Sequence, residues 1–256
     1  MSIPPPIIVN ADDIGLKPSV NKAILYSFEQ GYINSTSLLT NTDFFNDTID
    51  LIHQNPTIKN IGLHVNFAKG RPVTNFTQKQ FLDAEGNWDI NKTGKLISVL
   101  NNETKAAFLK EIDAQLERAL TANIKIVHID SHLHLHTLPA FYNLFIEIAK
   151  KRGLKLRLAQ TYREGSYLKF FYRKYINNKI QVSDINYSKY FVTVEEFLKN
   201  NTNFSEVDKI EIMVHPDFDN TGKLFDHVDI KSMDNWISYL NGSFVLLLFV
   251  AKLCLC

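Results

Sequence analysis

The sequence predicts an α/β fold built on a mainly parallel sheet. Three observations carry this expectation. Short apolar runs alternate with amphipathic stretches along most of the chain, the order expected when parallel strands are joined by helical crossovers. Several of those runs are continuously apolar, as strands covered on both faces are. The 256 residues are 45% hydrophobic and include 18 Phe, ample for one packed α/β domain or a small barrel and unlike a disordered chain. We expect a single domain over 1–256.

The elements follow in order. PIIVN (6–10) is a short apolar strand, and Val20, Ile24 and Phe28 then recur at four, with Gly31 as a helix stop. INSTSLL (33–39) reads as a second strand, residues 43–54 as a helix and KNIGLHVNF (59–67) as a third strand. The stretch from 68 to about 101 is less regular and suits an insertion or lid, with turn chemistry at Glu85-Gly86-Asn87. Residues 103–122 give the clearest helix, with Leu109, Ile112, Leu116 and Leu120 on one stripe. IKIVHID (124–130) is the next strand. Pro139 opens a helix that Gly153 ends, and LKLRLA (154–159) is another strand. Tyrosine-rich helical pieces fill 165–200. KIEIMVHPD (209–217) is a strand, 229–240 a helix and SFVLLLFVAKLCLC (243–256) a closing apolar strand.

Bulk properties exclude some functions. With 28 basic against 27 acidic side chains, the chain lacks the basic excess of a nucleic-acid binder. The apolar tail is much shorter than the roughly 18 to 20 residues of a spanning helix, so no membrane partner is expected. MSIPPPIIVNADD goes from a proline run straight into a strand, with no signal-peptide pattern, which points to the cytoplasm. Cys254 and Cys256 are too close along the chain to favour a bridge, and no disulfide is expected.

In parallel α/β sheets and barrels, functional residues gather at the carboxyl ends of the strands. Four predicted strands far apart in sequence finish in His or Asp: Asp12-Asp13, His64, the run His128, Asp130 and His132, and His215-Pro216-Asp217. Each alone has a plainer reading. Asp12-Asp13 suits a turn or helix cap, His64 a core histidine, and His215-Pro216 a strand-end turn. The segment HIDSHLHLH (128–136) is harder to explain away, since it places four of the eight histidines within nine residues. In an extended strand, His128, Asp130, His132, His134 and His136 would share one face, with Ile129, Leu133 and Leu135 packing on the other.

Two imidazoles and a carboxylate from separate strand ends can hold a divalent metal with positions left open. Such an ion lowers the pKa of its water toward 7. A second carboxylate then serves as base and a histidine across the site as acid. This inventory suits amide or ester hydrolysis. A phosphoesterase is the alternative, for which Arg71 and Arg157 are the available cations, and a non-catalytic sugar- or metal-binding protein is a third. Trp88, Tyr162 and Tyr167 are candidates for stacking on a sugar, with core packing the commoner role for such residues. No Gly-rich phosphate loop and no G-x-S-x-G elbow occurs.

The motifs NADDIG (10–15), GLHVNFAKGRP (62–72), HIDSHLHLHTLP (128–139) and MVHPD (213–217) resemble the YdjC-like family of carbohydrate (chitooligosaccharide) deacetylases. The likeness extends to GYINSTSLL (31–39) and EIDAQLERAL (111–120). It implies a (β/α) barrel-like fold, a distorted TIM-like barrel related to the polysaccharide deacetylases. It also implies one divalent metal and removal of acetyl from an N-acetylated mono- or oligosaccharide, in proteins that often form homodimers. By position, Asp13, His64 and His132 would be metal ligands, Asp12 the general base and His215 the acid. His128, Asp130, His134 and His136 would line the sugar pocket or support the ligands, Asp130 as the carboxylate behind a ligand imidazole. Apart from the resemblance, Arg71 and Arg157 are surface residues, substrate clamps or supports of the site. The resemblance implies magnesium, whereas the imidazole-rich ligand set would favour zinc, cobalt or manganese. Ile14, Leu133 and the apolar tail depart from the family pattern.

Overall fold

The computed structural model describes residues 3, 6–95, 100–200, 204 and 208–242. The expected closing strand at 243–256, with both cysteines, lies outside the described residues. Strands β1 (Ile7–Ile14), β2 (Ser35–Leu38), β3 (Ile61–Val65), β4 (His128–Ser131), β5 (Lys155–Leu156), β6 (Tyr190–Thr193) and β7 (Ile210–Val214) form one parallel sheet. Their order is β5-β4-β3-β2-β1-β7-β6. A hairpin of β8 (Pro216–Phe218) and β9 (Leu224–Asp226) follows β7.

Sequence period explains the two faces of the sheet. Side chains alternate along a strand. Val9 and Ala11, Leu63 and Val65, Ile129, and Ile210 with Ile212 are buried in one phase. The other phase is polar and equally buried: Asn10, Asp12, Ser37, His64, His128, Asp130, Arg157 and Glu211. The apolar phase is covered by helices. Among them are α1 (Pro18–Glu29), which buries Val20, Ile24 and Phe28, and α4 (Asn102–Thr121), which buries Phe108, Ile112, Leu116 and Ala119. α2 (Phe45–Gln54) and α5 (Tyr142–Arg152) also bury one apolar face each.

The polar phase faces the inside of a curl. With strands about 4.8 Å apart, β5 and β7 would be separated by about 24 Å in a flat sheet. Yet Arg157, the residue after β5, donates to Glu211 on β7 and to Asp12 on β1, each at 2.7 Å. Beyond the edges, Thr161 N–H donates to the Phe191 carbonyl of β6 at 3.0 Å. The sheet is a half-barrel, the (β/α) barrel-like form expected from the resemblance.

Boundaries differ from expectation in instructive places. β1 runs on to Ile14, through the two aspartates. β4 starts only at His128, because Asn123, with φ of 58°, lets the chain drop off α4 before Val127 rejoins Ile61. The stretch 165–200 contains not only α6 (Tyr167–Gln181) and α7 (Val194–Asn200) but the strand β6. The C-terminal helix α8 is Ser232–Leu240. In the stretch 68–101, the described part holds a short 3-10 turn and α3 (Ile90–Thr93), and buried Glu111 of α4 accepts from the backbone of Val73 and Thr74. On α4 the buried stripe runs through Phe108 and Ala119, while Leu120 is exposed. No helix among the described residues is long and apolar enough to cross a membrane.

Candidate active site

Neighbouring residues in a strand face opposite ways, so Asp12 and Asp13 should be separated by the sheet. A bulge prevents this. The β1–β2 register shifts between Ala11 and Ile14, and Asp13 takes a φ of 75°. Such a backbone costs on the order of 1–3 kcal/mol and is characteristic of functional positions. It turns both carboxylates toward the rim where β1, β3 and β4 end.

Asp13 meets two imidazoles there. Its Oδ1 lies 2.7 Å from His132 Nδ1 and 3.3 Å from His64 Nε2. One ligand atom from each of the three residues falls within 4.8 Å of the others. Asp13 Oδ1 is buried and has no aligned hydrogen bond, so two nitrogens and an oxygen crowd together without satisfying one another. That orphaned oxygen, with a nitrogen-rich donor set around it, fits a divalent cation. Charge agrees. Burial alone would lower the pKa of His64, but the charge of Asp130, the close approach of Asp13 and the bond to Asp130 push it up to about 10. The pocket calls for positive charge at this point. His64 Nδ1 lies 2.7 Å from Asp130 Oδ1, which fixes the ring and leaves Nε2 toward Asp13.

A second set, Asp12, His64 and Asp130, is equally compact, but a cation already occupies it. The Arg157 guanidinium donates to both oxygens of Asp12 at 2.7 Å each. It also reaches Asp130 Oδ2 at 2.8 Å and Glu211 at 2.7 Å, and Lys155 donates to Glu211. Burial would raise the Asp12 carboxyl, yet Arg157 holds it far below the usual carboxylate range. Arg157 is fully buried, and its fork is consumed inside the barrel on Asp12 and Asp130 rather than offered to a substrate. Arg71 is exposed, and only its carbonyl is tied down, by Asn41. Arg157, held by three carboxylates, is therefore not free for a phosphoryl group.

His215, just past β7, presents Nε2 at 3.9 Å from Asp12 Oδ2. Asp226 at the end of β9 holds it, accepting from the His215 backbone N–H at 2.7 Å and lying 3.5 Å from Nδ1. Burial would lower the pKa of His215, but the Asp226 contact and the charge of Asp12 raise it overall. Sequence reasoning missed Asp226, and it missed His227, whose Nε2 lies 3.6 Å from Asp13 Oδ2 and whose ring meets His215 edge-on. The turn signature Asp219-Asn-Thr-Gly222 between PDF and LFD would have announced the hairpin that carries them.

The histidine segment does not stay extended. After Ser131 the chain enters a tight 3-10 turn in which Leu133 and His134 have φ of 54° and 55°. The single shared face therefore ends at Asp130. Leu133, expected in the core, is 59% exposed. His128 is buried across Gly62, and burial pushes it down to about 4. Ser37 Oγ donates to Asp130 Oδ2 at 2.7 Å, so its 3.1 Å contact with His128 Nε2 is one it accepts, from a neutral ring. His136 is buried against Phe145 with Nδ1 2.8 Å from Ser131 Oγ, and burial pushes it down to about 3. His134 lies beside Phe191, with its Nδ1 unpartnered. Of the aromatic candidates, Trp88 is buried among Phe67, Phe76 and Phe108, Tyr162 is half-buried, and Tyr167 is exposed on α6 under Arg163.

Residues 6–237 match the model of the family described as YdjC-like protein. A carbohydrate deacetylase of Vibrio parahaemolyticus is 28% identical over 211 residues, covering 82% of this chain and 77% of that one. A carbohydrate deacetylase of Brevibacillus brevis is 28% identical, covering 82% and 80%. Among solved structures, one from Enterococcus faecalis V583, whose name assigns it to cellobiose-phosphate cleavage, superposes with a TM-score of 0.70. It shares 21% identity over 93% of each chain.

Proposed function

The chain belongs to the YdjC-like family, and on that premise we propose that it is a metal-dependent hydrolase removing the acetyl group from an N-acetylated carbohydrate. The substrate class is a mono- or oligosaccharide containing N-acetylglucosamine. The curated relatives named carbohydrate deacetylase support this class. The observation that carries it is the meeting of Asp13, His64 and His132 around an unsatisfied carboxylate oxygen, with Asp12 and His215 alongside.

A divalent ion held by Asp13, His64 and His132 would supply Lewis-acid polarisation of the acetyl carbonyl and easier deprotonation of the attacking water. The chain's own residues do the rest. Asp130 orients His64 through Nδ1. Asp12, kept ionised by Arg157, takes the proton of the water as the bond to the carbonyl carbon forms. His215, whose pKa is raised by its contact with Asp226 and the charge of Asp12, gives a proton to the amine nitrogen as the C–N bond breaks. The products are acetate and the free amino sugar. The two nitrogen donors favour zinc, cobalt or manganese over magnesium. The cytoplasmic setting expected from the sequence belongs to the same proposal.

The test is acetate release from N-acetylglucosamine and its oligomers, after metal stripping and with each metal restored. Activity should vanish on stripping and return with at least one divalent ion. A His64→Ala/His132→Ala variant should lose both bound metal and turnover. If that variant keeps both, the proposal is wrong.

A further inference from the structure

Helix α6 (Tyr167–Gln181) turns an apolar stripe to solvent. Its buried face is Arg173, Ile176, Asn177 and Ile180. Opposite lie Leu168, Phe171, Tyr175 and, just past the helix end, Val182, spaced as one helical face and each between 50% and 81% exposed. With Tyr167 they make five of the eleven large hydrophobic side chains exposed among the described residues. So dense a cluster marks a contact surface rather than the scattered apolar residues of an ordinary exterior. The helix beneath it is firmly seated. Tyr172 Oη donates to the Thr137 carbonyl at 2.9 Å, and Asn177 donates to the Ala159 carbonyl and accepts from its N–H. These bonds join α6 to the end of the histidine turn and to the segment that follows Arg157.

Charge says what such a face would meet. Residues 165–183 contain Lys169, Arg173, Lys174 and Lys179 and no acidic residue. Glu164 pairs with Lys169 and Arg173. The remaining cations lie over aromatic rings: Arg163 over Tyr167 at 4.8 Å, Lys174 over Phe170 at 4.7 Å and Lys179 over Tyr175 at 5.4 Å. Among the described residues no carboxylate pairs with any of these three. The helical repeat sets Lys174 and Lys179 on opposite flanks of the apolar stripe. Apolar and aromatic tips framed by long cations are what an interfacial helix presents, its rings among acyl chains and its ammonium groups at the phosphates. A second copy of this chain is disfavoured, because an isologous contact would bring the two sets of lysines together.

We propose that the exposed face of α6, built from Leu168, Phe171, Tyr175 and Val182 between Lys174 and Lys179, docks the protein on an anionic lipid surface. The helix lies along that surface, which requires no spanning length. The contact is therefore compatible with described helices that are not long and apolar enough to cross a membrane. Because α6 is bonded to the histidine turn through Tyr172, the active site is carried to the surface with it.

Flotation of the full chain with lipid vesicles tests this. The protein should bind vesicles of equal parts phosphatidylcholine and phosphatidylserine, and bind phosphatidylcholine alone about tenfold more weakly or less. Binding should weaken as salt is raised. Lys174→Gln/Lys179→Gln and Leu168→Ser/Phe171→Ser should each weaken it about tenfold or more. All four positions are exposed, so both variants should keep the wild-type urea midpoint, and the lysine pair tests the face even if the serine pair fails to fold. No binding to the anionic vesicles, equal binding to both kinds, or binding that both variants retain overturns the proposal. Tighter binding to soluble polyglutamate than to the vesicles assigns the face to an acidic protein and overturns it too. A dimer in sedimentation equilibrium that Leu168→Ser/Phe171→Ser dissociates assigns it to a second copy, with the same consequence. Binding is read without turnover, so its outcome is separate from that of the deacetylase reading.

Discussion

His215 and Asp226 show how much one residue's neighbours decide. An isolated histidine titrates near 6.5, and burial would move it lower still. Contact with Asp226 and the charge of Asp12 reverse that, so the net shift of His215 is upward. A group that must be protonated to act as an acid stays competent below its folded pKa and fails as pH rises through it. The wild-type rate should therefore fall on an alkaline limb above about 6.5. Asp226→Asn removes the charge but keeps an oxygen to accept from the His215 backbone N–H. Its alkaline limb should move to lower pH, with KM little changed. A pH profile of kcat that coincides with the wild type would remove His215 from the acid role. Asp12 sits at the opposite extreme. Arg157 keeps it ionised throughout the working range, so no acidic limb near neutrality is expected from it.

At the scale of elements, one glycine shows how closely the strands are fitted. A Cβ built on Gly62 of β3 would lie 2.1 Å from Nε2 of His128 on β4. Gly62→Ala should displace that ring, break its contact with Ser37 and cost about 1–3 kcal/mol, the usual penalty for overpacking. Urea melts measure this. The variant Gly62→Ala/His128→Ala should recover part of the loss relative to His128→Ala alone. Additive losses would show that the ring is not what the glycine accommodates. The strand ends themselves were legible, because a short apolar run closing on His or Asp needs only local sequence. Setting those ends on one rim implies only that two imidazoles and a carboxylate converge; that they are Asp13, His64 and His132 is what the family resemblance implies, and ligand atoms of these three do lie within 4.8 Å of one another. What sequence hid was backbone that breaks period two. The bulge at Asp13 turns it to the side of Asp12, and left-handed Leu133 and His134 stop the alternation after Ser131. β6 was hidden too, because YFVT sits between tyrosine-rich helical pieces and is only four residues long. Arg157 looked free because its three carboxylate partners are brought to it only by the closing of the half-barrel.

For the whole molecule, the polar interior makes stability a function of pH in a predictable way. His128 and His136 are buried and neutral, with pKa values pushed down to about 4 and about 3. In the unfolded chain both would titrate near 6.5. As pH falls through 6.5 the unfolded form takes up protons that the folded form refuses, so stability drops between about 6.5 and 4. With His134, likewise pushed down to about 4 by burial, three such groups give a slope of up to about 4 kcal/mol per pH unit at its steepest. The carboxylates add a second phase. Asp12, Asp13 and Glu211 are all held below the usual carboxylate range. Their contribution is present above about 4 and is lost only as pH falls further. Acid unfolding should thus begin with histidines, well above the range where carboxylates titrate. The measurement is the urea midpoint of metal-stripped protein from pH 8 to 4, compared with His136→Gln. The wild-type midpoint should decline from about 6.5 downward, and the variant should decline less steeply, because a glutamine fills much of the site without taking a proton. A midpoint that stays flat to pH 4.5 in the wild type would mean that these imidazoles are not kept neutral by the fold. Arg157→Ala gives the complementary case. It strips the central cation from three buried carboxylates, which costs about 3–5 kcal/mol at neutral pH. Part of that loss should be regained on mild acidification, as Asp12 and Asp130, freed of the guanidinium, become able to accept protons in the folded state.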